Sequence, residues 1–445
     1  MKRKPPSFRS FAANLAGVAL SGPWEEDALT ARLLAWLDGR SAGTVSALVT
    51  ELLATPRPYP PGPAAMVSEL LQMRAVRRLY RNCRRTARWP AWDLSPAYAE
   101  VLPALADLAL PTIPTPAALA GWLGLTLGEL DWFADPQSRL ARPSTRATRH
   151  YRCRWQEKRS GAPRLIEAPL PRLKTIQREI NSAVLAEVPP HAAAFAFTPG
   201  RDCRAGAAMH AGEDVVITLD LQDFFTTVSA SRVHAIFRCL GYTHPVARLL
   251  TGLTTVVTPS DVLASCDHPL PFQHRQRLRV PHLPQGAPTS PALANLAAFG
   301  LDRRFSALAS RLGARYSRYA DDLAFSGPRT AFPSGAASFI RLARAIVEDE
   351  GFLLNNRKTR VMGRHCRQSV TGLTVNAGIN TARKDYDTLK AILTNCRRHG
   401  PATQNRAAHP AFRQHLEGRV AWHASVNPRR GRRLAALLDA IDWSG

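Results

Sequence analysis

Two adjacent carboxylates, Asp321 and Asp322, stand in the stretch Arg315-Tyr-Ser-Arg-Tyr-Ala-Asp-Asp-Leu-Ala-Phe-Ser-Gly327. A third, Asp220, ends the run Val215-Val-Ile-Thr-Leu-Asp220 about a hundred residues upstream. Carboxylates held close together repel and raise the pKa of one of them unless a cation lies between. Their oxygens suit Mg²⁺, which takes one or two carboxylates together with substrate phosphates. An isolated Asp-Asp is more often a polar turn, and it is the matching Asp220 that points to chemistry. A carboxylate at the end of a buried strand, able to face a carboxylate hairpin, is the arrangement of two-metal phosphoryl transfer.

Those residues need particular elements to hold them. Val215 to Leu219 is a short β-branched apolar run, so a buried strand would end at Asp220. Tyr316 to Tyr319 and Leu323 to Phe325 are strand-formers closed by Gly327-Pro328, which predicts a β-hairpin with the acidic pair at its turn. Tyr151 to Trp155 and Arg164 to Ala168 flank the turn Lys158-Arg-Ser-Gly-Ala-Pro163 as a second hairpin. Helices are expected over Leu173–Leu185, Ser231–Leu240, Pro245–Leu253, Pro291–Leu312 and Ser338–Glu350, with 259–283 irregular.

Three stretches, Leu219-Asp-Leu-Gln-Asp-Phe-Phe225, Pro284-Gln-Gly-Ala-Pro-Thr-Ser-Pro291 and Tyr319-Ala-Asp-Asp322, occur in the order of the palm motifs of reverse transcriptases, which the chain resembles from about Tyr151 to its C-terminus. The resemblance implies an α+β right-hand polymerase fold with fingers, a palm of mixed sheet plus helices, and a helical thumb. It implies that Asp220, Asp321 and Asp322 are catalytic and hold two Mg²⁺ ions, Asp322 in support. It makes Phe225 the steric gate against a ribose 2′-OH, with Phe224 the alternative. It puts Arg164, Lys158 or Arg159, Gln285 and Lys358 around the incoming dNTP, where Gly286 would let the backbone approach closely. Val370-Thr371-Gly372 resembles a Val-Thr-Gly motif of bacterial retron enzymes. Gly206-Ala-Ala-Met-His210 resembles their Asn-Ala-x-x-His box, with Gly206 in place of Asn. By that resemblance His210, Val370, Thr371 and Gly372 contact RNA. The enzyme would copy a structured cognate non-coding RNA into single-stranded DNA joined to RNA, in phage defence, with an effector or toxin protein as a possible partner. Other bacterial reverse transcriptases, of group II intron or abortive-infection type, are the alternative. A palm protein that only binds RNA is a further one, against which three converging carboxylates argue.

Composition is consistent with this. The chain has 445 residues, 45% of them hydrophobic, enough for two or three domains. Lys and Arg number 59 against 34 Asp and Glu, a formal charge of +25, which points to a polyanionic partner such as nucleic acid. No apolar run reaches the length of a membrane span. Lys2-Arg3-Lys4 and Phe11 to Leu20 faintly suggest a signal peptide, but Asn14 interrupts the run and prolines separate it from the charges. Seven cysteines without a Cys-x-x-Cys pair argue against a disulfide framework or a zinc site, so a reduced, cytoplasmic protein is expected.

Three regions follow: 1–145, an all-α N-terminal extension; 146–375, fingers and palm; and 376–445, a basic helical thumb. Arg383 to Gly445 holds 12 Lys or Arg against 5 acidic residues. In the extension, a helix is expected over Pro63–Arg88. Arg74, Arg77, Arg78, Arg81, Arg84, Arg85 and Arg88 share one face, and Met73, Val76, Tyr80 and Cys83 the other. Like charges on one face repel, and a phosphate backbone would relieve them; Arg74, Arg77, Arg81 and Arg84 are the expected RNA contacts.

Overall fold

The structure is a computed structural model that describes residues 6–20, 24–54, 63–90, 105, 107–136, 149–157, 163–332 and 335–443. The chain divides into two compact units, Met1–Val188 with Ser229–Ser290, and Pro189–Val228 with Pro291–Gly445.

In the first unit, helices α1 (Phe8–Ala19), α2 (Glu26–Trp36), α3 (Ala42–Leu53), α4 (Pro63–Gln72) and α5 (Arg74–Thr86) close around their own core, which includes Phe11, Leu15, Leu29, Leu48, Leu70 and Leu79. The apolar run weighed as a signal peptide is α1, with Phe11 and Leu15 fully buried. The single helix expected over Pro63–Arg88 is two, parted at Met73, whose backbone is extended. The reason is the phase of the apolar residues. On one straight helix Val76, Leu79 and Cys83 would lie roughly 130° round from Met66 and Leu70. The break lets both sets face the core.

The rest of this unit holds the antiparallel hairpin of β1 (Tyr151–Gln156) and β2 (Arg164–Pro169). The helix Pro171–Ile180 continues as a π-turn through Asn181–Leu185, where one helix was expected. Residues 259–283, expected to be irregular, contain two short helices, Ser260–Ala264 and Phe272–Leu278, capped by Pro259 and Pro271. Segments that short show no periodicity to read.

In the second unit, β3 (Val215–Asp220), β4 (Arg315–Tyr319), β5 (Asp322–Gly327) and β6 (Arg360–Gly363) form one sheet in the order β4-β5-β3-β6. All its strand pairs are antiparallel, and Ala194 adds a parallel bridge to Arg318 on β4. Val216, Ile217 and Leu219 are buried, as the β-branched run predicts. The long helix expected over Pro291–Leu312 is interrupted at Ala298, giving Ser290–Ala297 and Phe299–Arg311. A small hairpin of β7 (Ser369–Val370) and β8 (Leu373–Thr374) follows the sheet. Helices Arg383–His399, Phe412–Val426 and Pro428–Asp439 then close on Leu389, Leu393, Leu416 and Leu434. Among the described residues no helix is long and apolar enough to cross a membrane.

Candidate active site

The three carboxylates come together where β3 ends and β5 begins. Asp220 and Asp322 are direct cross-strand partners, and the main-chain carbonyl of Asp321 accepts a hydrogen bond of 2.8 Å from the Leu221 amide. Asp220 is buried while Asp322 opens to solvent. The hairpin turn Ala320-Asp321 puts Ala320 at φ 55°, a conformation that glycine adopts without cost. An alanine held there stores of the order of 1–2 kcal/mol of strain, which its surroundings must offset.

Much of that support comes from residues that sequence reasoning missed. Arg318, fully buried on β4, donates to both carboxylate oxygens of Asp302 at 2.8 and 2.6 Å, to Asn295 at 2.9 Å and to the Ala320 carbonyl at 3.2 Å. Its guanidinium also lies over the Phe224 ring, 5.6 Å from the centroid. Tyr316 donates its hydroxyl to the same Asp302 at 2.8 Å. The signal available in the sequence was an arginine in the middle of a strand otherwise bound for the core, with an aspartate in the preceding helix.

Lys358 completes the site. It sits in the turn Asn356–Lys358, and its ammonium is 2.6 Å from Asp220 Oδ1. Burial works against that ammonium, but the hydrogen bond to Asp220 and the charges of Asp220, Asp321 and Asp322 outweigh it and hold its pKa above the usual lysine value. Although Asp322 keeps a face open to solvent, its carboxylate also loses hydration in the recess; that loss first, and then repulsion from Asp321 and Asp220, push its pKa up to about 6, with Lys358 pulling the other way. The donors are all hard oxygens, the set a divalent cation of the Mg²⁺ kind prefers. Among the described residues no three metal-binding side chains are already gathered into a cage, and Asp220 is engaged by Lys358. A divalent cation held here would have to compete with the Lys358 ammonium for Asp220.

A recess of about 170 Å³ opens beside these groups, lined by Asp220, Asp322, Lys358, Tyr319, Thr371 and Gly372 among others. The Val-Thr-Gly motif thus belongs to the same site as the carboxylates. Thr371 and Gly372 form the β7–β8 turn with φ of 48° and 84°, a two-residue hairpin turn with a β-branched residue where Asn or Gly is usual. Val370, expected to contact RNA, instead buries its side chain with Ala207, Val216 and Leu373.

His210, also expected at the RNA, has no exposure. Its ring nitrogens are 2.7 Å from the hydroxyls of Ser326 and Ser317, so it ties the segment after helix Cys203–Ala208 to β4 and β5. A side chain there cannot reach RNA; the box is a structural anchor. Gly206, the departure from the box, lies against Phe195, whose ring carbon would be 3.2 Å from any added Cβ.

Of the paired phenylalanines, Phe224 is core, packed on Phe352, and Phe225 is half-buried beside exposed Phe197. Arg164 is exposed at the start of β2. Gln285 accepts from the Glu167 amide at 2.9 Å through its main-chain carbonyl. Gly286, at φ 130°, lets that loop lie on β2, since a Cβ would stand 3.3 Å from the Glu167 carbonyl. Arg164 and Gln285 belong to the first unit and the carboxylates to the second. Lys158 and Arg159 lie outside the described residues. Arg74, Arg77, Arg81 and Arg84 are all exposed on α5.

Residues 156–376 match the family described as "Reverse transcriptase (RNA-dependent DNA polymerase)". Over 408 residues the chain is 36% identical to the retron Mx65 reverse transcriptase of Myxococcus xanthus, spanning 87% of this chain and 89% of that protein. It is 36% identical over 338 residues to the retron Mx162 reverse transcriptase of the same organism, spanning 73% of this chain and 66% of that protein. It is 27% identical over 282 residues to the retron Ec86 reverse transcriptase of Escherichia coli, spanning 63% and 77%.

Proposed function

Because the chain belongs to the retron reverse transcriptases and is therefore an RNA-directed DNA polymerase, we propose that it copies a structured cognate non-coding RNA into single-stranded DNA that stays joined to RNA. In this reading the primer is a guanosine 2′-OH of that RNA, and the complex acts in phage defence in the cytoplasm. The observation that supports polymerase chemistry best is the meeting of Asp220, Asp321 and Asp322 at one strand end with the Lys358 ammonium among them.

Asp220, Asp321 and Asp322 are the residues that would hold two Mg²⁺ ions, and such ions would supply acidity at the primer hydroxyl and positive charge for the triphosphate. The antiparallel register fixes Asp220 opposite Asp322, so neither carboxylate has to search for the other. Lys358, freed from Asp220, has a mobile ammonium to offer the triphosphate oxygens. The half-buried Phe225 is the ring available to exclude a ribose 2′-OH, since Phe224 is committed to the core. Arg164, Gln285 and Lys158 are assigned to the incoming dNTP. Thr371 and Gly372, in the recess, are assigned to the nucleic acid backbone.

Expression with the native flanking DNA tests this. The protein is expected to co-purify with one RNA and one short DNA of fixed length, released from each other only by RNase or a debranching enzyme. The Asp321→Ala, Asp322→Ala variant should keep the RNA and lack the DNA. Recovery of heterogeneous cellular RNA without a discrete DNA would remove the cognate-RNA reading.

A further inference from the structure

Seven arginines, from Arg74 to Arg88, are exposed on and just beyond α5. No acidic residue lies between Glu69 and Asp93. Among the described residues none of the seven forms an ion pair; Arg77 makes only a long contact, 3.4 Å, to the Leu71 carbonyl. Seven guanidinium groups along roughly 20 Å of helix repel one another. The repulsion is tolerated because the other side of α5 is anchored by Val76, Leu79 and Cys83. A face built this way matches a regular array of phosphates.

Which nucleic acid it fits follows from the aromatic residues. Proteins that grip single strands stack bases on exposed rings. Among the described residues, the rings near α5 are spent inside the bundle. Tyr80 meets Phe8 and Phe11 edge-on at 5.2 and 5.5 Å and donates its hydroxyl to the Pro6 carbonyl. Trp89 packs on Tyr80 at 5.4 Å, and Trp36 on Phe11 at the same distance. The large exposed apolar side chains among the described residues all lie beyond residue 126, none of them in this bundle. Among the described residues the face therefore offers charge without stacking rings, which is how helical RNA is held through its backbone and shape.

We propose that the five-helix N-terminal bundle docks a double-stranded stem of RNA, reading its phosphates through the arginine face of α5. The proposal takes from the preceding section only that RNA is the partner. Polymerisation on a generic primed template, measured in parallel, reports on that section's claim separately.

The test is equilibrium binding by the full-length protein, across about 50 to 200 mM salt, of an RNA hairpin with about 16 base pairs, an unstructured RNA strand of equal length, and anionic phosphatidylserine vesicles. Replacing Arg77, Arg81 and Arg84 together by Ala should flatten the salt dependence for the hairpin by about one unit of slope per arginine. It should change single-strand binding far less. The matching Lys variant should restore the slope, because a phosphate accepts a lysine as a point charge. Circular dichroism confirms that each variant is folded, and the Lys variant stands alone if the Ala variant is not. An unchanged slope, equal losses for hairpin and single strand, or a loss confined to vesicles would each overturn the proposal.

Discussion

His210 makes two hydrogen bonds of 2.7 Å, to Ser317 and Ser326, from a position without solvent contact. A neutral imidazole can do this as one donor and one acceptor, with the hydroxyls turned to suit; an imidazolium can only donate. Burial, aided by the Arg315 charge, pushes its pKa down to about 4. The ordinary value in an unfolded chain is about 6.5. On acidification the unfolded chain therefore takes up the proton first. Stability from this residue is intact above about pH 6.5 and falls by roughly 3 kcal/mol as the pH drops to about 4, then levels off. Urea midpoints between these pH values should show that fall in the wild type and a smaller one in His210→Gln. A sequence motif could single out His210 but not its role, because burial is decided by which strands close over it. The carboxylates were legible for the opposite reason. The metal chemistry proposed for them calls for that residue type at the end of an apolar strand, and both the strand and the acid are local in the sequence.

At the scale of elements, the hairpin that carries Asp321 and Asp322 depends on a salt bridge between a strand and a helix. Arg318 and Asp302 are both fully buried, and the same guanidinium reaches the Ala320 carbonyl in the strained turn. Removing one partner of a buried pair leaves the other charge uncompensated. Asp302→Ala is expected to cost about 3–5 kcal/mol in a denaturant titration. The lone arginine in a core-bound strand was readable but its partner was not, since the two sit 16 positions apart and meet only once the helix Phe299–Arg311 packs on β4. The short strands were readable from their β-branched runs and closing glycines. The break at Met73 was not assigned although its signal was present, in the shift of apolar phase between Leu70 and Val76. A second buried pair does a similar job in the other unit. His282 and Glu167 meet at 3.0 Å with Thr258 on the second carboxylate oxygen, holding β2 to the loop that leads into Gln285. Burial alone would depress the His282 pKa, and the Glu167 carboxylate outweighs it and raises the value.

Across the whole molecule, the charge of +25 is distributed among elements with different tasks. Arginines on α5 and the basic C-terminal helices meet solvent, whereas Arg318 and Lys358 are committed to carboxylates. Charge of this sign would make binding to a polyanion tight and salt-sensitive but supplies no chemistry. We assign the chemistry to Asp220, Asp321 and Asp322. The most direct measurement is extension of a DNA primer on an RNA template by the purified full-length protein with Mg²⁺, wild type against Asp220→Asn. The substitution keeps the shape of the side chain and removes its charge. Extension is expected to fall by roughly a thousandfold or more, about 4 kcal/mol in the barrier, while template binding and the unfolding midpoint stay close to wild type. Extension by Asp220→Asn within about tenfold of the wild type, in a folded protein, would contradict the assignment of these carboxylates as the polymerase centre.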